Sequence, residues 1–159
     1  MSQASCLTVA TLDQLVGREF APTDWLTIDQ PRINQFADCT GDHQFIHVDP
    51  ERVARDTPFP RTLAHGFLLL SLAAGHRQRD FPKVEDVALV LNYGMDKVRF
   101  TSPVFSGSRV RYHTRVVAAE PRGAGRVLLR QEARLEVEGQ DKPALVAELL
   151  SLYVARGAD

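Results

Sequence analysis

Residues 67–74, FLLLSLAA, leave almost no polar face over two helical turns. A helix that is apolar all round has to be buried all round. The run is also far too short to span a bilayer, which takes about 20 apolar residues. In a chain of 159 residues, one sheet wrapped around a single central helix is an economical way to bury it. The back half of the chain can supply that sheet. Arg109, Arg111, His113 and Arg115 alternate with Val110, Tyr112, Thr114 and Val116, a period of two with one wet face. Val127, Leu129, Leu135 and Val137 share one side of a second strand, and residues 121–125 join the two as a hairpin loop. Residues 87–100 and 144–154 complete the set, with Gly139-Gln140-Asp141 turning the chain before the last strand. The expected fold is α+β: one antiparallel sheet around one long central helix within residues 65–79, in a single domain over residues 1–159.

The front half is punctuated by Pro, Gly and Asp. Residues 11–16 read as a short helix stopped by Gly17, and residues 25–28 as a short strand. Pro31 suits a first helical turn and opens a helix over 32–38. Thr40-Gly41-Asp42 signals a turn, and Pro50 starts another short helical piece. Irregular backbone is expected between Gly41 and Pro50.

Nineteen basic against twenty acidic residues leave a formal charge of −1, so the overall balance gives no reason to expect nucleic acid or an anionic membrane as partner. The amino terminus, MSQASCLTVATLDQ, lacks a basic region followed by an apolar stretch, so no secretory signal is expected. Cys6 and Cys39 are the two cysteines, read as free thiols in a reducing compartment. The expected location is the cytoplasm.

The titratable groups concentrate in ADCTGDHQFIHVDP, residues 37–50. Asp42 and His47 are five apart, which on a regular helix sets them about 140° from one another. They converge only if the backbone turns between them, and the turn residues around Gly41 allow that. A carboxylate and a neutral imidazole aimed at one point can hold a water molecule and take its proton near pH 7. The spacing by itself decides little: twelve Asp and five His give such a pair by chance about 0.4 times in this chain. Asp42 capping a turn and His47 filling a polar gap remains the alternative. His43, His47 and Asp49 could also be read as zinc ligands, but His-x-x-x-His without a further ligand motif is a poor zinc signal. No metal site is expected. A second constellation, TLAHGF at 62–67, precedes the apolar helix. A helix amino end offers unpaired N–H groups and partial positive charge. Gly66 there lets a ligand approach the backbone, where a thioester oxygen gaining charge would be stabilised. Close packing of Gly66 and local capping by His65 explain the same residues without a ligand.

Three segments together resemble one family. WLTIDQPRINQFADCTGDHQFIHVDPERVA (25–54), TLAHGFLLLSL (62–72) and LNYGMDKVRFTSPV (91–104) are similar to the MaoC-like (R)-specific enoyl-CoA hydratases. The resemblance is strongest to the branch of nodulation-protein-N-like and pseudomonad medium-chain hydratases, and GQDKPALVAELLSLYV near the carboxyl end also looks like that branch. The resemblance implies a hot-dog fold and a homodimer. It also implies hydration of trans-2-enoyl-CoA to (R)-3-hydroxyacyl-CoA, without metal or redox cofactor, of the kind that links fatty-acid oxidation to polyhydroxyalkanoate precursors. It assigns Asp42 and His47 to the family's catalytic pair and Gly66 to its backbone oxyanion donor. Gln44-Phe45 stands where the family motif has Asn-Pro. Gln44 and His65 are the expected substrate-binding residues beside the pair. Arg61, Lys97 and Arg99, next to matched segments, are the expected contacts for the CoA phosphates.

Two other readings stay in view. A hot-dog thioesterase or acyl-carrier-protein dehydratase would resemble this chain in fold, but many such enzymes carry a catalytic carboxylate on the central helix, and residues 63–79 contain no Asp or Glu. A noncatalytic acyl-CoA-binding protein is the other; such a protein is expected to lose Asp42 or His47, and both are present.

Overall fold

The structure, a computed structural model, describes residues 7–75 and 78–158. Cys6, His76 and Arg77 lie outside the described residues, and Cys39 is a free, exposed thiol. The chain opens with a 3-10 helix, Val9–Leu15, that buries Val9, Leu12 and Leu15, and Gly17 follows with φ +86°. Strand β1 is Leu26–Ile28 and helix α1 is Gln30–Thr40. The Asp29 carboxylate accepts from Arg32 N–H at 3.0 Å, Pro31 sits in the first turn, and Gly41 ends the helix in the left-handed region. These caps explain why α1 runs two residues beyond the expected 32–38 at each end. The stretch expected to be irregular holds one helical turn, α2, Phe45–Val48. Helix α3, Pro50–Asp56, follows after Asp49 caps it by accepting from Arg52 N–H at 2.9 Å. Helix α4 is described over Gly66–Gly75.

Four long strands follow: β2 (Val87–Phe100), β3 (Ser108–Pro121), β4 (Arg126–Val137) and β5 (Leu145–Ala155). The five strands form one curled antiparallel sheet in the order β1-β3-β4-β5-β2. Register places Val110 opposite Val137, Tyr112 opposite Leu135, and Leu135 opposite Leu145, so these residues share the inner face. Leu68, Leu69 and Leu70 of α4 pack against that face, each adding about 1.5–3 kcal/mol by burial. The Tyr112 hydroxyl donates to the Leu69 carbonyl at 2.6 Å, tying sheet to helix. The outer face is wet, as the alternation implies: Glu136 pairs with Arg111 and His113, Glu132 with Arg115, and Glu148 with Arg130. Among the described residues no helix is long and apolar enough to cross a membrane.

The expectation that α4 is buried all round fails within one chain. Phe67 is 70 % exposed, because five strands cover only part of the helix. Beside it, β2 is an edge strand that among the described residues pairs only with β5, and its Leu89, Leu91, Tyr93, Met95 and Phe100 are exposed too.

Candidate active site

The turn at Gly41 and the single turn of α2 bring Asp42 and His47 together. Gly41 closes α1 through its N–H, which donates to Ala37 O at 2.8 Å, and releases the chain at φ +78°. Asp42 then stands with its side chain 54 % exposed. His47 is 8 % exposed, held on α2 by its N–H to Gln44 O at 2.9 Å. A carboxylate oxygen of Asp42 and a ring nitrogen of each of His47 and His65 all lie within 4.8 Å of one another.

Two backbone carbonyls set the ring tautomers. A carbonyl can only accept, so the 2.8 Å contact from His47 Nδ1 to Leu63 O puts the hydrogen on Nδ1 and leaves the lone pair on Nε2. By the same reasoning His65 donates from Nε2 to the backbone oxygen of Asp42 at 3.0 Å. The two rings stack with centroids 3.8 Å apart. Burial pushes the His47 pKa below its ordinary value, and the neighbouring His65 adds to this against the opposing pulls of the hydrogen bond to Leu63 O and of Asp42. His47 is therefore a neutral base at pH 7 with its lone pair free.

The donor set bears on metal binding as well. His43, the other half of the zinc reading, pairs instead with Asp38 at 2.9 Å on the surface. The cluster of three that does form uses His65 Nε2 as a hydrogen donor, and the remaining lone pair of that ring is on the far nitrogen, Nδ1. Two nearly parallel rings also direct their in-plane lone pairs alongside one another rather than at a common point. A water molecule, which accepts and donates, suits the Asp42 and His47 groups better than a cation does.

The framework holding the pair includes residues that the local sequence did not single out. Gln30 Nε2 donates to His47 O at 2.7 Å, and its Oε1 accepts from the Thr62 hydroxyl, so one amide ties α1 to α2 and to the approach to α4. Leu63 N–H donates to Ile46 O at 2.9 Å, and Ala64 N–H to Val104 O at 2.8 Å. Gly66 opens α4 one residue beyond His65, and among the described residues nothing accepts from its N–H. It borders a cavity of about 320 Å³ lined by Leu63, Gly66, Leu69, Phe100, Ser102 and Val104. A Cβ on Gly66 would meet the Phe100 ring at 3.0 Å.

The remaining expected residues are scattered. His65 is 3 % exposed and braces the pair from within. Gln44 precedes α2 without a side-chain capping bond, and Phe45, in place of the motif's proline, lies under the Arg52 guanidinium at 4.1 Å. Arg61 and Arg99 are exposed. Lys97 is drawn to Glu148 on the outer face of the sheet and is not brought to Asp42 or His47.

A curled antiparallel sheet around one helix, with a carboxylate–imidazole pair beside the helix amino end, defines a hot-dog fold of the dehydratase kind. The family model described as a MaoC like domain matches residues 11–137, and the chain belongs to the MaoC-like dehydratase family. It is 48 % identical over 148 residues to 3-hydroxyacyl-thioester dehydratase Z of Mycobacterium tuberculosis, covering 93 % of this chain and 97 % of the relative. It is 43 % identical over 146 residues to nodulation protein N of Rhizobium leguminosarum bv. viciae, covering 92 % and 91 %. Among solved structures, the (R)-hydratase from A. caviae involved in PHA biosynthesis superposes with a TM-score of 0.66 at 26 % identity, over 86 % of this chain and 94 % of that one.

Proposed function

We propose that the protein is an (R)-specific enoyl-CoA hydratase that adds water to trans-2-enoyl-CoA. The observation that carries this reading is the approach of the Asp42 carboxylate and the His47 ring to within 4.8 Å, both against His65, the residue just before the amino end of α4. In the mechanism, Gly66 N–H donates to the thioester oxygen and makes the β-carbon electrophilic. One water lies between Asp42 and His47. His47 Nε2 takes a proton from it as its oxygen bonds to the β-carbon, and the displaced electron pair moves onto the thioester oxygen. The α-carbon then takes a proton back from the pair, so one H and one OH have been added across the double bond. The steps run equally in reverse, as dehydration of a 3-hydroxyacyl thioester. No resident cofactor or metal enters this scheme.

Binding energy from the CoA moiety holds the enoyl group in register. Arg61 and Arg99 are the proposed phosphate contacts; the ion pair to Glu148 counts against Lys97. The proposed assembly is a homodimer, the commonest closed oligomer. The apolar residues of edge strand β2 and the exposed Phe67 give it a surface to bury.

The test is the loss of enoyl-thioester absorbance with crotonyl-, octenoyl- and dodecenoyl-CoA, followed by chiral analysis of the product. Release of free CoA thiol without hydration would identify a thioesterase and defeat the proposal. An (S) product would defeat the stereochemical assignment.

A further inference from the structure

The inner face of the sheet carries a polar stripe that a purely hydrophobic acyl site has no use for. Thr114 on β3, Gln131 on β4, Ser151 on β5 and Asn92 on β2 face inward. Gln131 pairs with Val116, two residues from Thr114, while Ser151 lies opposite Asn92 and beside Leu129. Together with the buried Gln78, they line a cavity of about 430 Å³ against Ala73 and Ala74 of α4. Thr114 is only 6 % exposed, and its hydroxyl has no hydrogen-bond partner among the described residues. Buried hydroxyls are nearly always paired, so an unpaired one in a cavity that three amides and a serine also line marks a place where a polar group is received. Among the described residues lining the cavity none is acidic, basic or histidine. The described hydroxyls and amides match an uncharged oxygen, which can pair with them as acceptor or donor.

Helix geometry relates this cavity to the catalytic pair. Ala73 is seven residues from Gly66, two turns along the same face of α4, a rise of about 11 Å. Gly66 and Leu69 border one cavity and Ala73 and Leu149 the other, so an acyl chain with its thioester at Gly66 needs to reach about 11 Å along α4 to bring its far end to the stripe.

Resting on the hydratase reading, we propose that this cavity binds the distal end of the acyl chain and selects chains bearing a neutral oxygen there, a hydroxyl or a ketone. A plain methyl end leaves the Thr114 hydroxyl unpaired. An oxygenated end pairs with it.

The experiment compares trans-2-dodecenoyl-CoA with its ω-hydroxy, penultimate-oxo and ω-carboxy counterparts. The hydroxy or oxo substrate is expected to show a KM roughly tenfold lower than the plain chain at similar kcat, the worth of about one good buried hydrogen bond. The hydroxy and oxo arms tell whether a donor or only an acceptor is required. The carboxy chain is expected to gain nothing. Thr114→Val should reduce the preference, and Thr114→Ser, which keeps the hydroxyl, should retain it. Equal KM values for plain and oxygenated chains, a preference unchanged by Thr114→Val, or a preference for the carboxylate would each overturn the proposal. If no enoyl-CoA is hydrated at all, the hydratase reading fails separately. Calorimetric titration with saturated dodecanoyl-CoA and ω-hydroxydodecanoyl-CoA then decides the cavity alone: roughly tenfold tighter binding of the hydroxylated chain upholds it, and equal binding overturns it.

Discussion

Replacing Asp42 by asparagine separates catalysis from architecture because Asp42 does little structural work. Its side chain is more than half exposed, and its own polar contacts are long: Gln44 N–H reaches its carboxylate at 3.4 Å. The close contact from His65 goes to the backbone oxygen of Asp42, which the substitution keeps. Exposed substitutions of this kind stay within about 0.5 kcal/mol, which for a chain of this length is about 1–2 °C in Tm. A positioned acid or base contributes about 10²–10⁴-fold in rate, or roughly 2.7–5.5 kcal/mol of barrier. The expected result is an unchanged melting curve with kcat at least a hundredfold lower. His47→Gln should lower kcat similarly, but it also removes the donor to the Leu63 carbonyl, so a stability loss of about 1–3 kcal/mol accompanies it. Since the two groups act on one water, the double variant should be little slower than either single one. Melting temperature, circular dichroism and kcat on the same preparations give the answer. If Asp42→Asn melts several degrees lower while hydrating enoyl-CoA within a factor of a few of the parent, Asp42 is a cap and the mechanism is wrong.

Five further outcomes follow from the geometry. The acid limb of kcat/KM should fall below pH 6.5, since burial lowers the His47 pKa; a limb above 7 would contradict the neutral-base assignment. The same depression means the unfolded chain takes up that proton first as pH falls. The associated stability is therefore present above the unfolded value near 6.5 and is lost as pH drops through the folded value; urea midpoints from pH 8 to 5 should show the loss in the parent and less of it in His47→Gln. Gly66→Ala forces a methyl against the Phe100 ring and should lower kcat by about tenfold or more, with partial recovery when Phe100 is also changed to Leu, as measured by steady-state kinetics. Tyr112→Phe removes the hydroxyl bond to Leu69 O and should cost about 0.5–1.5 kcal/mol in urea denaturation. Leu91→Lys on the open edge strand should shift sedimentation towards monomer, and a parent that is already monomeric at assay concentration would remove the dimer.

What the sequence made readable was whatever is encoded within a few residues. The alternation along residues 109–116 foretold β3, Pro31 foretold the start of α1 and Gly41 the turn after it, because strand period, helix starts and turns are local. The turn that brings Asp42 to His47 was legible for the same reason. Helix α2 was not: Phe45–Val48 has no capping side chain, and its turn is held by Gln30 reaching across 17 positions to the His47 carbonyl. Local reading likewise left His65 between a cap and a ligand contact, while the folded chain stacks it on His47. Thr114, Gln131, Ser151 and Asn92 come from four strands, and strand register alone brings them to one face. The apolar pattern of residues 67–74 predicted burial but could not say which chain would provide the cover, and Phe67 is left open by its own sheet.

The two histidines show why tertiary acceptors matter more here than residue identity. Either ring could serve as a base, and each lies near Asp42. The carbonyl each ring finds decides between them. Leu63 O takes the Nδ1 hydrogen of His47, so its other nitrogen keeps a lone pair on the side that Asp42 shares. The Asp42 backbone oxygen takes the Nε2 hydrogen of His65, which turns the nitrogen nearest Asp42 into a donor and leaves the remaining lone pair buried at Nδ1. The stacked His65 ring, 3.8 Å from His47, adds to the lowering of the His47 pKa. Substituting His65 by Gln keeps a donor for the Asp42 carbonyl but removes the stacked ring. The acid limb of kcat/KM should then move to higher pH as the ring's lowering effect on His47 disappears, whereas a merely space-filling His65 would leave that limb where it is.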